Sequence, residues 1–322
     1  EPGSNRTTQP TDYHLLIWEK VMSTEATIAF QAQFQDNFIL LSQQRGSRLR
    51  SVVRTDPDFL KGKAGYFDRI GSTAMQRRTS RHQDTPLIST PHSRRRVTLE
   101  DYVWADLIDT ADRVKMVADP DGAYMTNAVW AAGRQFDASI YGAMGGSAYS
   151  VDEDDAATAV VLPSAQKVAV NNHSFDAGSG DVGLTVGKLI AAKALLLGND
   201  AVDENDQLCC VANAHQLANL LSETAVTSID FNNIYALVQG SVDSFMGFTF
   251  KRYESISVDA SSDQLVYCFH PTGVGLAVGQ DINARMSERA DKNYSTQVYT
   301  ELSVGATRIE DEKVVEIACD PS

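Results

Sequence analysis

The sequence predicts an α+β fold that joins one long helix, a central α/β unit and a strand-rich C-terminal part. A capped amphipathic run over residues 120–144 predicts the helix, strand and helix patterns alternate from residue 158 to 253, and strand patterns dominate after residue 264. With 322 residues and 43% hydrophobic residues, the chain can bury a sizeable core, either as one large domain or as two of ordinary size.

Composition excludes several classes of protein. A net charge of −14 argues against a dedicated nucleic-acid binder. Because no run of about 18 apolar residues occurs, we expect no membrane span. The first residues, Glu1-Pro2-Gly3-Ser4, lack the pattern of a secretory signal and the initiator methionine, so proteolytic trimming or an incomplete chain is expected.

The first element, residues 1–45, is predicted to be an N-terminal arm. Phe30, Phe34 and Phe38 recur every four residues within a helical pattern over residues 12–44. Such a stripe indicates a helix face packed on a neighbouring element rather than a cofactor or membrane site.

Next comes a basic segment, residues 45–96, with 13 Arg or Lys against four Asp, a local charge of +9. Short alternating runs separated by Gly and Pro predict a two-stranded excursion with a polar tip at residues 77–81. It has too few apolar residues for a core of its own, so it must lie on another surface. We interpret it as an assembly arm that meets an acidic neighbour.

Ten of the eleven arginines of this segment are the candidate intersubunit contacts. They are Arg48, Arg50, Arg54, Arg69, Arg77, Arg78, Arg81, Arg94, Arg95 and Arg96.

The long helix has a clear start signal. Asp119 is the predicted N-cap, Pro120 takes the first helical position, and Asp121 favours the positive end of the helix dipole. At 1.5 Å per residue, residues 120–144 would form a helix roughly 37 Å long, a spine across the body. Its predicted apolar face consists of Met125, Val129, Ala132, Phe136 and Ile140.

The remaining elements follow from pattern and capping residues. Helices are predicted over 185–197, 213–221 and 232–239. Strands are predicted over 158–162, 167–170, 208–212, 248–253, 265–269, 274–278, 284–289, 297–302, 306–310 and 313–318.

Chemistry-bearing motifs are missing from the sequence, so we predict no catalytic, cofactor-binding or metal-binding residues. The four cysteines form no CxxC pair, and the adjacent Cys209 and Cys210 should be reduced and face opposite sides of a strand. Gly273-Val274-Gly275 lacks the helix start of a dinucleotide loop and is interpreted as strand and turn. The acidic runs 152–155 and 200–206 lack the ligand spacing of a calcium loop.

The order of these elements resembles the major capsid protein of tailed bacteriophages, which has the Hong Kong 97 (HK) capsid fold. The resemblance covers nearly the whole chain. It is carried most by Gly65-Tyr66-Phe67-Asp68-Arg69-Ile70-Gly71, Asp84-Thr85-Pro86, Arg94-Arg95-Arg96, Asp119-Pro120, Gly145-Gly146 and the run from Gly240 to Tyr253.

The resemblance implies a domain plan: an N-terminal arm over 1–45, an extended E-loop hairpin over 46–96, and a peripheral P-domain over 97–158 with its spine helix at 120–144. An axial A-domain over 159–265 and return strands over 266–322, partly P-domain, complete it. Some relatives weld subunits through a Lys–Asn bond. Lys61 and Lys63 lie in the implied E-loop, but no acceptor motif predicts a cross-link here.

The implied function is a non-enzymatic shell subunit that forms hexamers and pentamers of an icosahedral head around double-stranded DNA. Implied partners are other copies of the chain, a portal protein, and a possible scaffold or cement protein, with no cofactor and no membrane. Such a protein would be assembled in the bacterial host cytoplasm and reside in the virion. Two alternatives stay open at this point: an encapsulin-like compartment shell, and an α/β enzyme without a recognisable motif.

Overall fold

The structure is a computed structural model of the chain. It describes residues 40–56, 64–81, 84–85, 87–109, 121–152, 156–175, 178–203, 206–222 and 244–321. Most of the predicted arm with its phenylalanine stripe, Lys61 and Lys63, the N-cap Asp119-Pro120 and the predicted helix over 232–239 lie outside the described residues.

Three helices and fourteen strands make up the described regular structure, apart from short 3₁₀ turns. The helices are α1 (Asp121–Gly145), α2 (Val186–Gly198) and α3 (Ala214–Ser222). The strands are β1 (Arg54–Asp56), β2 (Ala64–Ile70), β3 (His92–Thr98), β4 (Glu100–Ile108), β5 (Ala148–Val151), β6 (Ala157–Val160), β7 (Lys167–Val168), β8 (Leu208–Ala212), β9 (Ser244–Phe245), β10 (Phe248–Arg252), β11 (Gln264–Phe269), β12 (Val274–Arg289), β13 (Ser295–Arg308) and β14 (Val314–Cys319).

The strands form three sheets. The first has the order β1-β12-β13-β4 and is built on the long antiparallel hairpin of β12 and β13. The second is a mixed sheet of six strands in the order β7-β14-β11-β8-β10-β9, and the third is an antiparallel sheet in the order β2-β3-β5-β6. This arrangement confirms the predicted α+β class.

Helix α1 confirms the long helix predicted over residues 120–144, but its buried face differs in part from the prediction. The predicted members Ala132, Phe136 and Ile140 are buried, whereas Val129 is 36% exposed. The buried stripe instead begins at Ala128 and keeps a constant step of four residues as far as Met144. A step of four drifts only slowly around a helix of 3.6 residues per turn, so one stripe can follow the adjoining sheets.

The core around α1 joins elements from two sheets. Phe136 and Ile140 of the helix belong to one buried cluster with Phe269 of β11, and with Leu276 and Leu302 of the first sheet. The helix is therefore held along its length by the burial of apolar surface, which makes a larger contribution than its intrinsic propensity.

A second buried cluster lies between the six-stranded sheet and helices α2 and α3. Cys210 faces this cluster, while Cys209 faces the cluster around α1, as predicted for adjacent residues of a strand. The side chain of Thr185 accepts a hydrogen bond from the backbone N–H of Lys188 and caps α2. Asn213 caps α3 in the same way through the N–H of Gln216.

Four predicted strands merge into two long ones. The strands predicted over 274–278 and 284–289 are parts of β12, and those over 297–302 and 306–310 belong largely to β13. Register shifts next to Gln280 absorb the polar residues that the sequence pattern treats as a break. Gly305 interrupts the apolar pattern because the carbonyl of Thr98 lies where a side chain would stand.

Candidate assembly interface

The hairpin β2–β3 forms the base of the basic segment. Its two strands pair in antiparallel register from Ala64 with Thr98 to Ile70 with His92. Beyond the strands, the described residues between 71 and 91 contain no helix or strand, and all of them are exposed. The predicted two-stranded excursion is therefore short and ends in an extended irregular tip.

Three of the candidate arginines lie on this tip. Arg77, Arg78 and Arg81 are all exposed. Within the described residues, these three side chains form one hydrogen bond. Nε of Arg78 donates to the carbonyl of Ser80 at 2.8 Å. These guanidinium groups are thus presented outward, with no carboxylate partner in the described part of their own chain.

The arginines at the base of the hairpin have partners within the subunit. Nε of Arg94 contacts Oδ1 of Asp68 at 2.6 Å in an exposed ion pair. Nη1 of Arg69 donates to the carbonyl of Ile309 at 2.8 Å, which fastens the hairpin to the end of the first sheet. Arg54 lies over the ring of Phe67, with 5.8 Å between its Cζ and the ring centroid.

Arg95 is buried inside the subunit in a three-residue charge cluster. Its Nη2 lies 2.5 Å from Oδ2 of Asp311, whose Oδ1 lies 2.5 Å from Nε of Arg308. Burial lowers the pKa of Arg95, and the neighbouring cations Arg69 and Arg308 lower it further, while Asp311 raises it. Because only 2% of Arg95 is exposed, its charge is paired inside the subunit and is not offered to a neighbour.

Arg308 extends this cluster to the end of the long helix. Its Nη1 donates to the carbonyls of Met144 at 2.9 Å and Gly146 at 2.8 Å, and Nη2 donates to Val160 at 3.0 Å. A cation here satisfies carbonyls that the last helical turn leaves without intrahelical partners. The cluster therefore ties the hairpin, the spine helix and the first sheet together.

The first residues of the basic segment cross α1 at Asp137. The fully buried carboxylate of Asp137 accepts hydrogen bonds from Oγ of Ser47 at 2.5 Å, the N–H of Arg48 at 2.9 Å and the N–H of Leu49 at 3.0 Å, and from the side chain of Gln44. Gly133 makes the crossing possible, because any side chain there would collide with the backbone of Gly46.

The other candidate arginines also have contacts within the subunit. Nη1 of Arg48 donates to the carbonyl of Arg252 at 3.0 Å. Arg50 forms a bidentate pair with Asp281, whose pKa it holds below the usual range, at distances of 2.9 and 2.7 Å. Arg96 is half-buried between β2 and β5, next to Tyr66 and Tyr149 in register.

Strand β4 supplies the opposite charge. Residues 100–109 contain four carboxylates and no Lys or Arg. Asp101 and Asp106 are exposed, and neither forms an ion pair within the described residues; Glu100 accepts the hydroxyl of Tyr102. β4 is an edge strand of its sheet, so this acidic strip borders solvent.

Sequence reasoning missed Asp137, Arg308 and Asp311. Asp311 lies between Glu310 and Glu312, whereas Asp137 and Arg308 each stand beside a buried apolar residue, in Phe136-Asp137 and Arg308-Ile309. That placement is the one signal the sequence offers, because charged residues are rarely buried unless paired.

The described residues show no arrangement for nucleophilic or metal chemistry. They contain no group of three or more His, Cys, Asp or Glu placed to hold a metal ion. All four cysteines are free and buried, and burial raises the pKa of Cys209 to about 11 and of Cys319 to about 12. Buried thiols of this kind are inert. No described helix is both long and apolar enough for a bilayer span.

The fold is similar to solved capsid structures of bacteriophages. The capsid of cyanophage Pam1 aligns with a TM-score of 0.68 and 14% identity over 89% of this chain and 95% of that chain. The capsid of Ralstonia phage GP4 aligns with a TM-score of 0.68 and 11% identity over 90% of this chain and 96% of that chain. The capsid of cyanophage P-SCSP1u aligns with a TM-score of 0.67 and 14% identity over 91% of this chain and 94% of that chain. At these identities the likeness establishes the fold.

The family is established by sequence. Residues 26–321 match the family model described as phage capsid protein. The chain therefore belongs to the phage capsid protein family, and the predicted resemblance to a major capsid protein is confirmed. No protein with a curated description matches the chain. The protein is a shell subunit of the virion. This structural role supports neither of the two alternatives, the encapsulin-like compartment shell and the α/β enzyme.

Proposed function

We propose that the chain assembles into hexamers and pentamers of an icosahedral head, with the basic segment of each copy lying over the next. The supporting observation is that one chain carries two exposed surfaces of opposite charge. One is the basic tip, which has no core of its own, and the other is the acidic edge strand β4, which forms no ion pair within the described residues. In this plan residues 46–96 are the E-loop, 97–158 the P-domain, 159–265 the A-domain and 266–322 the return strands.

The mechanism of assembly would be geometric. Among the ten arginines chosen from sequence, the proposal now rests on Arg77, Arg78 and Arg81, because Arg50, Arg69, Arg94 and Arg95 have partners in their own subunit. Each exposed ion pair is worth only about 0–1 kcal/mol. Repetition around closed rotational symmetry multiplies such pairs, so the assembled ring is stable although each contact is weak.

The remaining partners follow from the same role. Double-stranded DNA would fill the interior without tight sequence-specific binding, and a portal protein would take one vertex. A scaffold or cement protein is possible, and assembly would take place in the cytoplasm of the bacterial host. Membership of the capsid family supports these partners without identifying them.

Reversing the charge of the tip tests this function. The variant Arg77→Glu/Arg78→Glu/Arg81→Glu should remain folded, because these side chains have no carboxylate partner in the described part of their own chain, but it should not form shells. The matched control is the triple Lys variant, which keeps the charge and should assemble. Negative-stain images and size-exclusion chromatography at physiological salt distinguish shells from small oligomers. Normal shells from the Glu variant would contradict the proposal.

A further inference from the structure

A small apolar pocket lies between the spine helix and the first sheet. Its volume is about 170 Å³, and it is open to solvent. An engineered apolar cavity of about 150 Å³ holds a benzene molecule, so this pocket can hold one side chain. The lining residues include Tyr102, Trp104, Ala128, Ala131, Ala132 and Thr300.

The lining combines small and aromatic side chains. Ala128, Ala131 and Ala132 give α1 a flat surface at this point, and Tyr102 and Trp104 of β4 form the opposite wall. The hydroxyl of Thr300, which also contributes to the lining, is buried and has no hydrogen-bond partner within the described residues. A buried hydroxyl without a partner is costly, so an entering segment that offered a polar backbone group would stabilise it.

Carboxylates flank the aromatic wall. Side chains alternate along a strand, so Glu100 and Asp106 point to the same face of β4 as Tyr102 and Trp104. The two carboxylates are roughly 20 Å apart along the strand, with the aromatic pair between them. The pocket is therefore complementary to an apolar side chain that has basic residues close to it in the sequence.

The tip of the basic segment has that composition. Met75 is 99% exposed, the highest value among the exposed large apolar side chains of the described residues, and Arg77 and Arg78 follow it after one intervening residue, Gln76. Three extended residues span about 10 Å, so either arginine can reach a flanking carboxylate when Met75 is in the pocket. Methionine also adapts to irregular gaps and forms favourable sulfur contacts with aromatic rings.

We propose that Met75 of one subunit docks into the pocket formed by Tyr102, Trp104 and the three alanines of a neighbouring subunit. This inference rests on the proposed function and identifies where the tip binds. The competing occupant is the N-terminal arm with its phenylalanine stripe. Residues 1–39 hold five Asp or Glu against two Lys or Arg. The acidic strip of β4 would repel such an arm and attract the tip, so charge favours Met75.

Disulfide trapping in assembled shells tests the docking. The pair Met75→Cys/Ala131→Cys puts one thiol on the tip and one in the pocket, whereas Met75→Cys/Ala105→Cys puts the second thiol on the opposite face of the same sheet. The native cysteines are buried and should not interfere. After mild oxidation, the Ala131 pair should give a ladder of covalent multimers on a non-reducing gel, and the Ala105 pair should not.

Other outcomes would overturn the inference. Equal ladders from both pairs, cross-links confined to single chains, or shells without any cross-link would each exclude Met75 as the occupant. A ladder from Phe34→Cys/Ala131→Cys instead would assign the pocket to the arm. The absence of shells for the wild-type chain would contradict the proposed function itself, which keeps the two failures distinct.

A second measurement uses single variants. Met75→Asp should raise the subunit concentration needed for assembly by about tenfold or more, and Met75→Leu should change it by less than about threefold, as expected for loss or retention of one buried side chain. Met75 is exposed in the isolated subunit, so neither variant should alter its circular dichroism or its unfolding midpoint. Equal effects of Asp and Leu would contradict apolar docking.

Discussion

At the scale of single residues, Asp137 fixes where the chain crosses the spine helix. Its buried carboxylate accepts hydrogen bonds from the backbone N–H groups of Arg48 and Leu49. It also accepts hydrogen bonds from the side chains of Ser47 and Gln44. Hydrogen bonds to a charged acceptor contribute about 1.5–3 kcal/mol each, and buried donors left without a partner cost about as much as the bond. One carboxylate thus holds the segment that positions the basic hairpin.

We predict that Asp137→Ala destabilises the unassembled subunit by about 3–5 kcal/mol, because it leaves one buried and several partly buried donors unsatisfied at once. Asp137→Asn keeps one acceptor oxygen and should cost less. Urea unfolding measures the loss, and hydrogen exchange should show protection disappearing first at residues 47–52. Glu288→Ala, an exposed carboxylate without a contact in the described residues, is the matched control. An Asp137→Ala subunit as stable as this control would refute the anchoring role.

The cluster of Arg95, Asp311 and Arg308 predicts unequal effects of its members. Asp311 neutralises two buried guanidinium groups, so Asp311→Ala should cost about 3–5 kcal/mol, as does removal of one partner from a buried ion pair. Two nitrogens of Arg95, Nε and Nη1, are buried and have no hydrogen-bond partner among the residues that the structure describes. Replacing Arg95 by Met removes these unsatisfied groups, so Arg95→Met should cost no more than about 1 kcal/mol.

Urea unfolding of the unassembled subunits compares the two variants of this cluster. If Arg95→Met proved as destabilising as Asp311→Ala, the arginine would contribute stability that its contacts do not explain.

At the scale of elements, the spine helix depends on an unbroken backbone ladder. Val129 is partly exposed, so its side chain contributes little to the core. Proline at this position removes a backbone donor and clashes with the preceding turn, at a cost of roughly 3 kcal/mol or more. We therefore expect Val129→Pro to be insoluble or unfolded and Val129→Ala to be near wild type. Solubility and circular dichroism decide, and a soluble, assembling Val129→Pro protein would show that the helix tolerates interruption.

Elements with local signals could be predicted from the sequence. The cap at Thr185, the apolar run of β8 and the four-residue step of Phe136 and Ile140 each depend on a few neighbouring residues. The full length of β12 and β13 could not be predicted, because Gly279-Gln280-Asp281 has the composition of a turn. The partner strand overrides that preference by supplying hydrogen bonds on both sides of the bulge.

The same reasoning explains which parts of the candidate interface the sequence revealed. The tip at Arg77 and Arg78 was recognised because charge density is a local property. The burial of Arg95 was not, because its partner Asp311 lies 216 residues away along the chain. Adjacent arginines of one strand, Arg94 and Arg95, are exposed and buried in turn, so the run Arg94-Arg95-Arg96 mixes surface and interior roles.

At the scale of the whole molecule, charge is unevenly distributed. The chain has a net charge of −14, yet its basic segment carries +9, and Arg77, Arg78 and Arg81 of that segment are exposed. If that segment engages a neighbouring subunit, few cations remain free on the surface of the shell. An acidic surface around packaged DNA would limit adhesion of the nucleic acid.

We predict that the protein does not bind duplex DNA tightly and that salt weakens its early assembly contacts. Tight binding requires several free Lys or Arg aligned on phosphates, and the acidic remainder repels the backbone of the duplex.

Exposed ion pairs are screened beyond a Debye length of about 8 Å at physiological salt, so higher ionic strength should slow capsomer formation. Mature shells should resist the same salt, because burial of apolar groups, such as the burial proposed for Met75, is insensitive to screening. Light scattering follows assembly, and a gel-shift titration at about 0.15 M salt measures DNA binding. Sub-micromolar, salt-sensitive affinity for random duplex would identify the basic segment as a nucleic-acid-binding surface instead of an assembly arm.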